Sequence, residues 1–152
     1  MGGMGVFFGY YAAADDEEAL RAVARGDGQP LGAGYDSFAV KGIDPVVALL
    51  PAEVLVTGRT AAVIKADPRH GHLVGTVGDG EVVALSLTDS FCGSLSRVDP
   101  QRLGEVAHGW SASGVFDARS DLTGLTSFLE DLAALARRAT ARGHRLYCRI
   151  GM

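Results

Sequence analysis

The clearest hydrophobic pattern in the chain lies toward its C-terminus and predicts a long amphipathic helix. Its apolar residues recur at intervals of three and four, as they do on one face of an α-helix. They are Leu125, Phe128, Leu129, Leu132, Leu135, Ala136 and Ala139. We expect this helix to begin at Ser120 or Asp121 and to end at Gly143, since glycine often follows a helix C-terminus. The short apolar segment Leu146–Ile150 then predicts a final strand.

Three further helices are predicted from residues that cap a helix N-terminus. Asp15 with Glu18 three residues later forms a capping box at the start of a short helix. Thr88 or Asp89 begins a second helix, because both are favoured N-cap residues. Asp99-Pro100 begins a third, since proline is suited to the first position of a helix.

A strongly apolar run in the first half of the chain allows two interpretations. Asp44-Pro45 predicts a helix start, with the aspartate as N-cap and the proline at the first position. Pro51 lies inside the run and lacks a backbone donor, so we expect a kink or two short helical pieces. The alternative is a strand from Glu53 to Thr57, because Val54-Leu55-Val56 is rich in residues that favour strands.

These elements predict an α+β fold in a single helix-rich domain that covers residues 1–152. Glycine and aromatic residues alternate in residues 1–11, which predicts an N-terminal strand. Residues 82–85 predict another. We expect the N-terminal and C-terminal strands to share a small sheet. Residues 26–37 and 66–80 are rich in turn-forming residues and are predicted to be irregular and exposed.

The composition changes the picture by excluding several classes of protein. Apolar residues make up 47% of the 152 residues and charged residues 21%, which is typical of a globular domain. The net charge of −4 disfavours nucleic-acid binding, which calls for an excess of Lys and Arg on one face. Arginine outnumbers lysine 12 to 2 and asparagine is absent, a bias that indicates a GC-rich bacterial gene.

The sequence predicts a cytoplasmic protein that does not enter a membrane. No apolar run approaches the length of about 20 residues that a membrane-spanning helix needs. The N-terminus lacks the basic region of a signal peptide. Cys92 and Cys148 are far apart in the sequence, and we expect both to be free thiols in a reducing compartment.

The best candidate for a metal site is the segment that contains Asp67, His70 and His72. In an extended chain the two histidines project to the same side, about 6–7 Å apart, and could bind one divalent transition metal ion with Asp67 as a third ligand. An open coordination position would then support hydrolysis. The alternative is an exposed loop whose histidines hold no metal, in a protein without a cofactor.

Two other features are candidates for contact with a protein partner. Trp110 lies in an aromatic segment at residues 108–116, and tryptophan often anchors an interface. A basic cluster near the C-terminus could meet an acidic partner. It contains Arg137, Arg138, Arg142 and Arg145. Arginines at a helix C-terminus also complement the helix dipole, which is the local explanation for the cluster.

A nucleophilic cysteine is the least supported chemistry. Such a thiol needs a base within hydrogen-bonding distance and a lowered pKa. Cys92 with His108, or Cys148 with His144, would be the candidate pairs. The simpler interpretation is that Cys148 is a core residue and that Cys92 lies at the surface of a helix.

Several short segments follow one another in the order found in one known family. The chain opens with Met4-Gly5-Val6-Phe7-Phe8, and its apolar run ends in Val56-Thr57-Gly58. The long helix leads into Gly143-His144-Arg145-Leu146-Tyr147. In these segments the chain resembles the YfbM-like family of small bacterial proteins, which implies an α+β fold and no known reaction. It departs from the family at Pro45–Pro51, which contains neither the Trp nor the His usual in the central helix.

The function predicted from these observations is binding to a protein partner without catalysis. In its more specific form the protein is an antagonist that neutralises a basic toxin, because a small acidic domain suits a basic partner. The alternative is a small metal-assisted hydrolase that uses Asp67, His70 and His72.

Overall fold

Five strands and six helices are formed by residues 7–24, 37–78, 82–115 and 122–151, the parts of the chain that the computed structural model describes. In chain order they are β1 (Phe7–Ala13), α1 (Asp16–Ala24), β2 (Ser37–Lys41), α2 (Leu50–Thr57), α3 (Ala61–Ala66), β3 (Leu73–Val77), β4 (Val82–Ser86), α4 (Asp89–Arg97), α5 (Pro100–Ser111), α6 (Leu122–Ala141) and β5 (Arg145–Gly151). Among these residues, no helix is both long enough and apolar enough to cross a membrane.

The strands form one antiparallel sheet in the order β2-β1-β5-β4-β3. Strands β1 and β5 pair along their whole length, from Phe7 opposite Gly151 to Ala13 opposite Arg145. The two terminal strands are therefore neighbours in the middle of the sheet. The predicted α+β fold and the predicted pairing of the terminal strands are both confirmed.

The sheet separates two cores, because successive side chains of a strand point to opposite faces. Tyr10 and Ala12 belong to the larger core, which contains residues from α2, α4, α5 and α6. Tyr11 and Ala13 belong to a smaller core with α1, as does Tyr147 of β5. The fold thus has three layers, with α1 on one face of the sheet and the helical cluster on the other.

The predicted capping residues begin their helices as expected. The carboxylate of Asp15 accepts a hydrogen bond from the backbone N–H of Glu18 at 2.9 Å, ahead of α1. Thr88 and Asp99 cap α4 and α5 by accepting bonds from backbone N–H groups three residues later. Each cap satisfies a donor that the first turn of a helix leaves unpaired.

The end of α6 is a Schellman motif, which places the start of β5. Gly143 has a φ of 70°, and its N–H donates to the carbonyl of Thr140 at 3.1 Å. The N–H of His144 donates to the carbonyl of Ala139 at 2.8 Å. These are the two bonds that define the motif. The predicted C-terminus is confirmed, and the predicted start at residues 120–121 lies outside the described residues.

The apolar run after Asp44 begins with a turn and then becomes a helix. The carboxylate of Asp44 accepts bonds from the backbone N–H groups of residues 46–48, at 2.6 to 3.0 Å. Helix α2 begins at Leu50, with Pro51 in its first turn, where a missing N–H costs nothing. The predicted helix start at Asp44-Pro45 is therefore wrong, since residues 45–48 form a turn, and Pro51 lies in the first turn of one helix instead of kinking it. The alternative strand at Glu53–Thr57 is also wrong.

The prediction that residues 66–80 are irregular is wrong in part, because β3 lies within them. Gly75, in the middle of β3, suggests a turn in the sequence. In the structure it lets α1 approach the sheet, since a Cβ at Gly75 would lie 2.6 Å from Cδ1 of Leu20. Strand β2 and helix α3 likewise have no counterpart in the sequence prediction.

Candidate functional site

The turn between α3 and β3 places Asp67 in an ion pair. Its Oδ2 accepts a hydrogen bond from Nη2 of Arg59 at 3.1 Å, and its Oδ1 accepts one from the backbone N–H of Arg69 at 2.9 Å. The backbone N–H of Arg69 and the guanidinium of Arg59 together hold the pKa of Asp67 below its ordinary value. Both oxygens of the Asp67 carboxylate therefore already accept hydrogen bonds within the fold.

The predicted metal ligands are not gathered into a metal site. His70 is half-buried and its pKa is lowered, chiefly by burial, whereas His72 is exposed. Among the residues that the structure describes, no three His, Cys, Asp or Glu side chains are placed to hold a metal ion. The sequence pattern assumed an extended chain, but Asp67 and His70 lie in a turn, so the spacing argument does not apply.

Helix α2 turns its one charged residue, Glu53, toward the interior. Glu53 is 2% exposed, and the hydroxyl of Thr88 donates to its Oε2 at 2.6 Å. Burial raises the pKa of Glu53, although the bond from Thr88 and the charge of Arg59 oppose the rise. This residue was not a candidate in the sequence, because a single glutamate in an apolar helix is ordinarily a solvated position.

Glu53→Gln is expected to gain stability relative to the wild type as pH rises. The pKa of Glu53 in the folded protein lies above the ordinary value of 4.5, so the stability contributed by protonated Glu53 is lost as pH rises through the folded value. Glutamine cannot ionise. The difference in free energy of unfolding between variant and wild type should therefore grow between about pH 4 and pH 8, as measured by urea unfolding. Glu130→Gln, at an exposed position of α6, is the matched control, and equal pH profiles for the two variants would contradict the argument.

A second polar group joins α1, the 67–71 turn and β5. Arg69 donates to both carboxylate oxygens of Asp16, at 3.3 and 3.0 Å, and the hydroxyl of Tyr147 donates to Asp16 at 2.7 Å. The bond from Arg69 is the main cause of the lowered pKa of Asp16. One buried nitrogen each of Arg59, Arg69 and His70 has no hydrogen-bond partner among the described residues, and ordered water commonly satisfies such groups.

The outward side of α2 is apolar. Leu50, Pro51, Val54 and Leu55 are all half-exposed, while the carboxylate of Glu53 lies inside. A surface helix ordinarily directs its apolar stripe to the core and its charged residues to water. Leu55 and Val56 also pack against the larger core, so α2 is apolar on its inner and its outer side. An apolar outer side is typical of a surface that another molecule covers.

An open groove of about 360 Å³ lies on this side of α2, against α5. It is lined by Leu50, Pro51, Val54, Leu55, Ala61, Gly109 and Ser113. Gly109 is part of its wall, and a Cβ there would lie 3.0 Å from Cδ1 of Leu55. Glycine within a helix costs about 1 kcal/mol relative to alanine, and here it leaves the groove open.

Two exposed aliphatic residues lie before and after α2 in the sequence, and an ion pair on α5 contacts Leu55 of the groove. Val47 is 65% exposed and Val63 is 51% exposed. Arg102 donates from Nη2 to the carbonyl of Leu55 at 3.0 Å, and its Nη1 lies 3.1 Å from Oε1 of Glu105. We call the groove together with Val47 and Val63 the α2 surface.

Trp110, a candidate contact residue in the sequence, is placed by the structure in the core. It is 0% exposed, and its indole N–H donates to the carbonyl of Ala48 at 2.7 Å. Its ring packs against Phe128, with 5.7 Å between ring centroids. The sequence offered Trp110 as a possible anchor of a partner and left its exposure open; in the structure Trp110 lies in α5, on the same buried face as Leu103.

The predicted arginine cluster is exposed, and part of it makes local contacts. Arg137 donates to the carbonyl of Val98 at 3.1 Å. Arg145 lies 3.5 Å from the carboxylate of Asp89. Arg138 and Arg142 are exposed on and after the last turns of α6. The role of these four arginines in binding a partner stays a prediction.

Neither predicted cysteine pair is favoured by the environment of the thiols. Cys92 and Cys148 are both free and buried, and burial raises the pKa of each thiol. Cys92 instead shares an open pocket of about 310 Å³ with His144. The other residues of that pocket are Asp89, Gly93, Thr140, Gly143 and Arg145. A raised pKa disfavours the thiolate that nucleophilic chemistry needs.

Comparison with known proteins gives no relative from which a role could be inferred. No family model, no curated protein and no solved structure matches the chain. The resemblance to the YfbM-like family therefore stays a prediction, and the function has to be argued from the chain itself.

Proposed function

We propose that this chain is a protein-binding module without catalytic activity, and that the α2 surface is its contact site. The observation that carries the proposal is the apolar outer side of α2, where Leu50, Val54 and Leu55 line a groove while the one charged residue of the helix, Glu53, is buried at 2% exposure. Apolar side chains grouped on one exposed face gain free energy when a partner removes them from water, at about 25 cal/mol per Å².

The buried and half-buried carboxylates form hydrogen bonds within the fold, which supports binding to a partner over catalysis. Asp67 and Asp16 are held by arginines, and Glu53 is bonded to Thr88, so these carboxylates stabilise the fold. The pKa of the Cys92 thiol is shifted upward, away from the direction that nucleophilic catalysis requires.

The finer parts of the proposal concern location and partner. We infer a bacterial, cytoplasmic protein, for which the two free thiols Cys92 and Cys148 give support. The more specific form, an antagonist of a basic toxin, is supported by the net charge of −4. The same charge argues against nucleic acid as the partner. Membership of the YfbM-like family is supported by the order of its short segments in the sequence.

Site-specific photo-cross-linking tests the proposal. A photoreactive phenylalanine analogue at Val63 places the reactive group on the α2 surface, at a position that is 51% exposed. Irradiation in the native lysate should give one adduct of defined mass, because a bound partner keeps one group within reach. Denaturing gel electrophoresis and mass spectrometry measure the adduct.

The matched control places the same analogue at Leu122, which is 43% exposed on α6. This position has comparable exposure and lies outside the α2 surface, so it should give no such adduct. The same pattern of adducts from both positions, or none from Val63, would overturn the proposal.

A further inference from the structure

A second open pocket lies between α4, the end of α6 and the start of β5. It shares no lining residue with the groove beside α2. Its lining residues are Asp89, Cys92, Gly93, Thr140, Gly143, His144 and Arg145. The volume of about 310 Å³ is at the small end of the range for ligand pockets, about 300–1,000 Å³. A pocket of this size suits a small molecule rather than a nucleotide or a large cofactor.

Two opposite charges of this pocket lie close together without a hydrogen bond between them. Nε of Arg145 lies 3.5 Å from Oδ1 of Asp89, whereas charge-assisted hydrogen bonds measure about 2.7–2.9 Å. The nearby ion pair of Arg69 with Asp16 does form such a bond, at 3.0 Å. Within the described parts of the chain, the side chains of Asp89 and Arg145 form no hydrogen bond. Both groups therefore keep their hydrogen-bonding capacity for a ligand.

A second guanidinium lies beside the same carboxylate. Nε of Arg69 lies 3.9 Å from Oδ1 of Asp89, and this buried nitrogen has no hydrogen-bond partner among the described residues. The other two nitrogens of the guanidinium donate to Asp16, which fixes the position of the group. Oδ1 of Asp89 is thus near two guanidinium groups and is hydrogen-bonded to neither of them.

The mixture of charges favours a ligand that carries both signs. A simple anion would meet the carboxylate of Asp89, and a simple cation would meet the guanidinium of Arg145, and contact between like charges disfavours binding. A zwitterion avoids both contacts. In a free α-amino acid the ammonium and the carboxylate are attached to the same carbon, which suits two opposite charges that are only 3.5 Å apart.

The rest of the pocket suits a small uncharged side chain. Sγ of Cys92 lies 3.8 Å from Oγ1 of Thr140, and Cys92 is 6% exposed. Burial raises the pKa of the Cys92 thiol, so the thiol is uncharged near neutral pH. Gly93 and Gly143 add no side chain to the lining.

We infer that this pocket binds a free α-amino acid with a small uncharged side chain. The ammonium of the ligand donates to Asp89, its carboxylate accepts from Arg145, and its side chain extends toward Cys92. The inference goes beyond the protein-binding function proposed above, because it assigns a different pocket and a small-molecule ligand.

Isothermal titration calorimetry with L-alanine, L-serine and L-valine, each alone, is the first test. At least one of these should bind, with one ligand per chain. The tightest binder is then compared with its carboxamide, which lacks the carboxylate, and with the acid that lacks the ammonium (propionate for L-alanine). Each analogue loses a charge-assisted hydrogen bond, so its dissociation constant should be about 10-fold higher or more. No binding of any of the three amino acids, or equal affinity for the analogues, would overturn the inference.

Charge-removing variants test the two proposed contacts. Asp89→Asn and Arg145→Gln should each raise the dissociation constant of the amino acid about 10-fold or more. Asp131→Asn and Arg142→Gln remove the same charges at exposed positions outside the pocket lining and should leave the affinity unchanged. All four positions are exposed, so the variants should fold, which circular dichroism checks. Equal effects of the two pairs would refute the assignment of these contacts.

Alkylation of the two cysteines by iodoacetamide, followed by mass spectrometry, locates the ligand without any variant. Cys92 lines the pocket and should react faster than Cys148, which is 0% exposed. A saturating amino acid should slow the reaction of Cys92 and leave that of Cys148 unchanged. If Cys92 reacts no faster than Cys148, or if the ligand gives it no protection, the amino acid does not occupy this pocket.

Discussion

Replacing Trp110 by alanine should lower the free energy of unfolding by about 3–5 kcal/mol, the usual cost of removing a large aromatic side chain from a core. The indole is 0% exposed and packs against Phe128. Its removal also leaves the carbonyl of Ala48 without the donor that now lies 2.7 Å away. Since small domains are stable by only about 5–15 kcal/mol, the variant should be close to unfolding at ambient temperature.

Trp110→Phe separates packing from hydrogen bonding in the same position. It keeps an aromatic ring against Phe128 and removes the N–H, so the cost should fall to about 1–3 kcal/mol, the range for an unsatisfied buried polar group. Chemical denaturation with intrinsic fluorescence from tyrosine, together with circular dichroism, measures both variants. A loss below about 1 kcal/mol for Trp110→Ala would contradict the burial and restore an interface role for this residue.

The position of Trp110 could have been read from the helical period of α5. Leu103, Val106, Ala107 and Trp110 are spaced as one face of a helix, and all four are buried. The sequence interpretation ended the helix early, because Gly109 and the small residues after Trp110 resemble a loop. Gly104 and Gly109 lower the helix propensity of this segment. Packing against α6 nevertheless stabilises the helix as far as Ser111.

Apart from the shared sheet of the two terminal strands, the parts of the fold that the sequence predicted are those set by local interactions. Helix caps such as Asp15, Thr88 and Asp99 depend on residues three positions apart, so the sequence contains all the information needed. Strand β3 was missed because it is stabilised by pairing with β4 and by contact with α1. That contact is possible because Gly75 has no side chain to clash with Leu20. Such support comes from residues distant in sequence.

In the candidate site, too, the sequence predicted local features and missed contacts between residues distant in sequence. The sequence drew attention to Asp67 and His70 but assigned them a metal. The ion pair of Asp67 with Arg59 spans eight residues, with helix α3 between them, and the contact of Glu53 with Thr88 spans 35 residues. Neither can be read from a short motif. The apolar composition of α2 was visible, but its direction relative to the core was not.

Thr88→Ala should be the most costly change in the polar interior, at about 2–4 kcal/mol. Two losses add: the N-cap of α4 is worth about 1 kcal/mol, and a buried polar group deprived of its partner costs about 1–3 kcal/mol. The second loss arises because the Thr88 hydroxyl, itself 1% exposed, is the donor to Glu53 at 2.6 Å. Urea unfolding of the variant beside the wild type measures the sum.

Thr60→Ala is the matched control, because Thr60 caps α3 in the same way and is exposed. It should show the loss of a cap alone, about 0.5–2 kcal/mol. Thr88→Ser keeps the hydroxyl and should retain most of the stability. Costs that are equal for Thr88→Ala and Thr60→Ala would mean that the bond to Glu53 contributes nothing.

The pH dependence of the stability lost in Thr88→Ala tests whether the Glu53 carboxylate is the group that loses its partner. The hydrogen bond from Thr88 lowers the pKa of Glu53 and so opposes the effect of burial, which means that it stabilises the charged form. Deleting the hydroxyl should therefore cost more free energy of unfolding above the folded pKa of Glu53 than below the ordinary pKa of 4.5. The cost of Thr60→Ala should not follow this trend, since its hydroxyl bonds a backbone N–H. In the background of Glu53→Gln the trend should vanish, because no charge remains for Thr88 to stabilise.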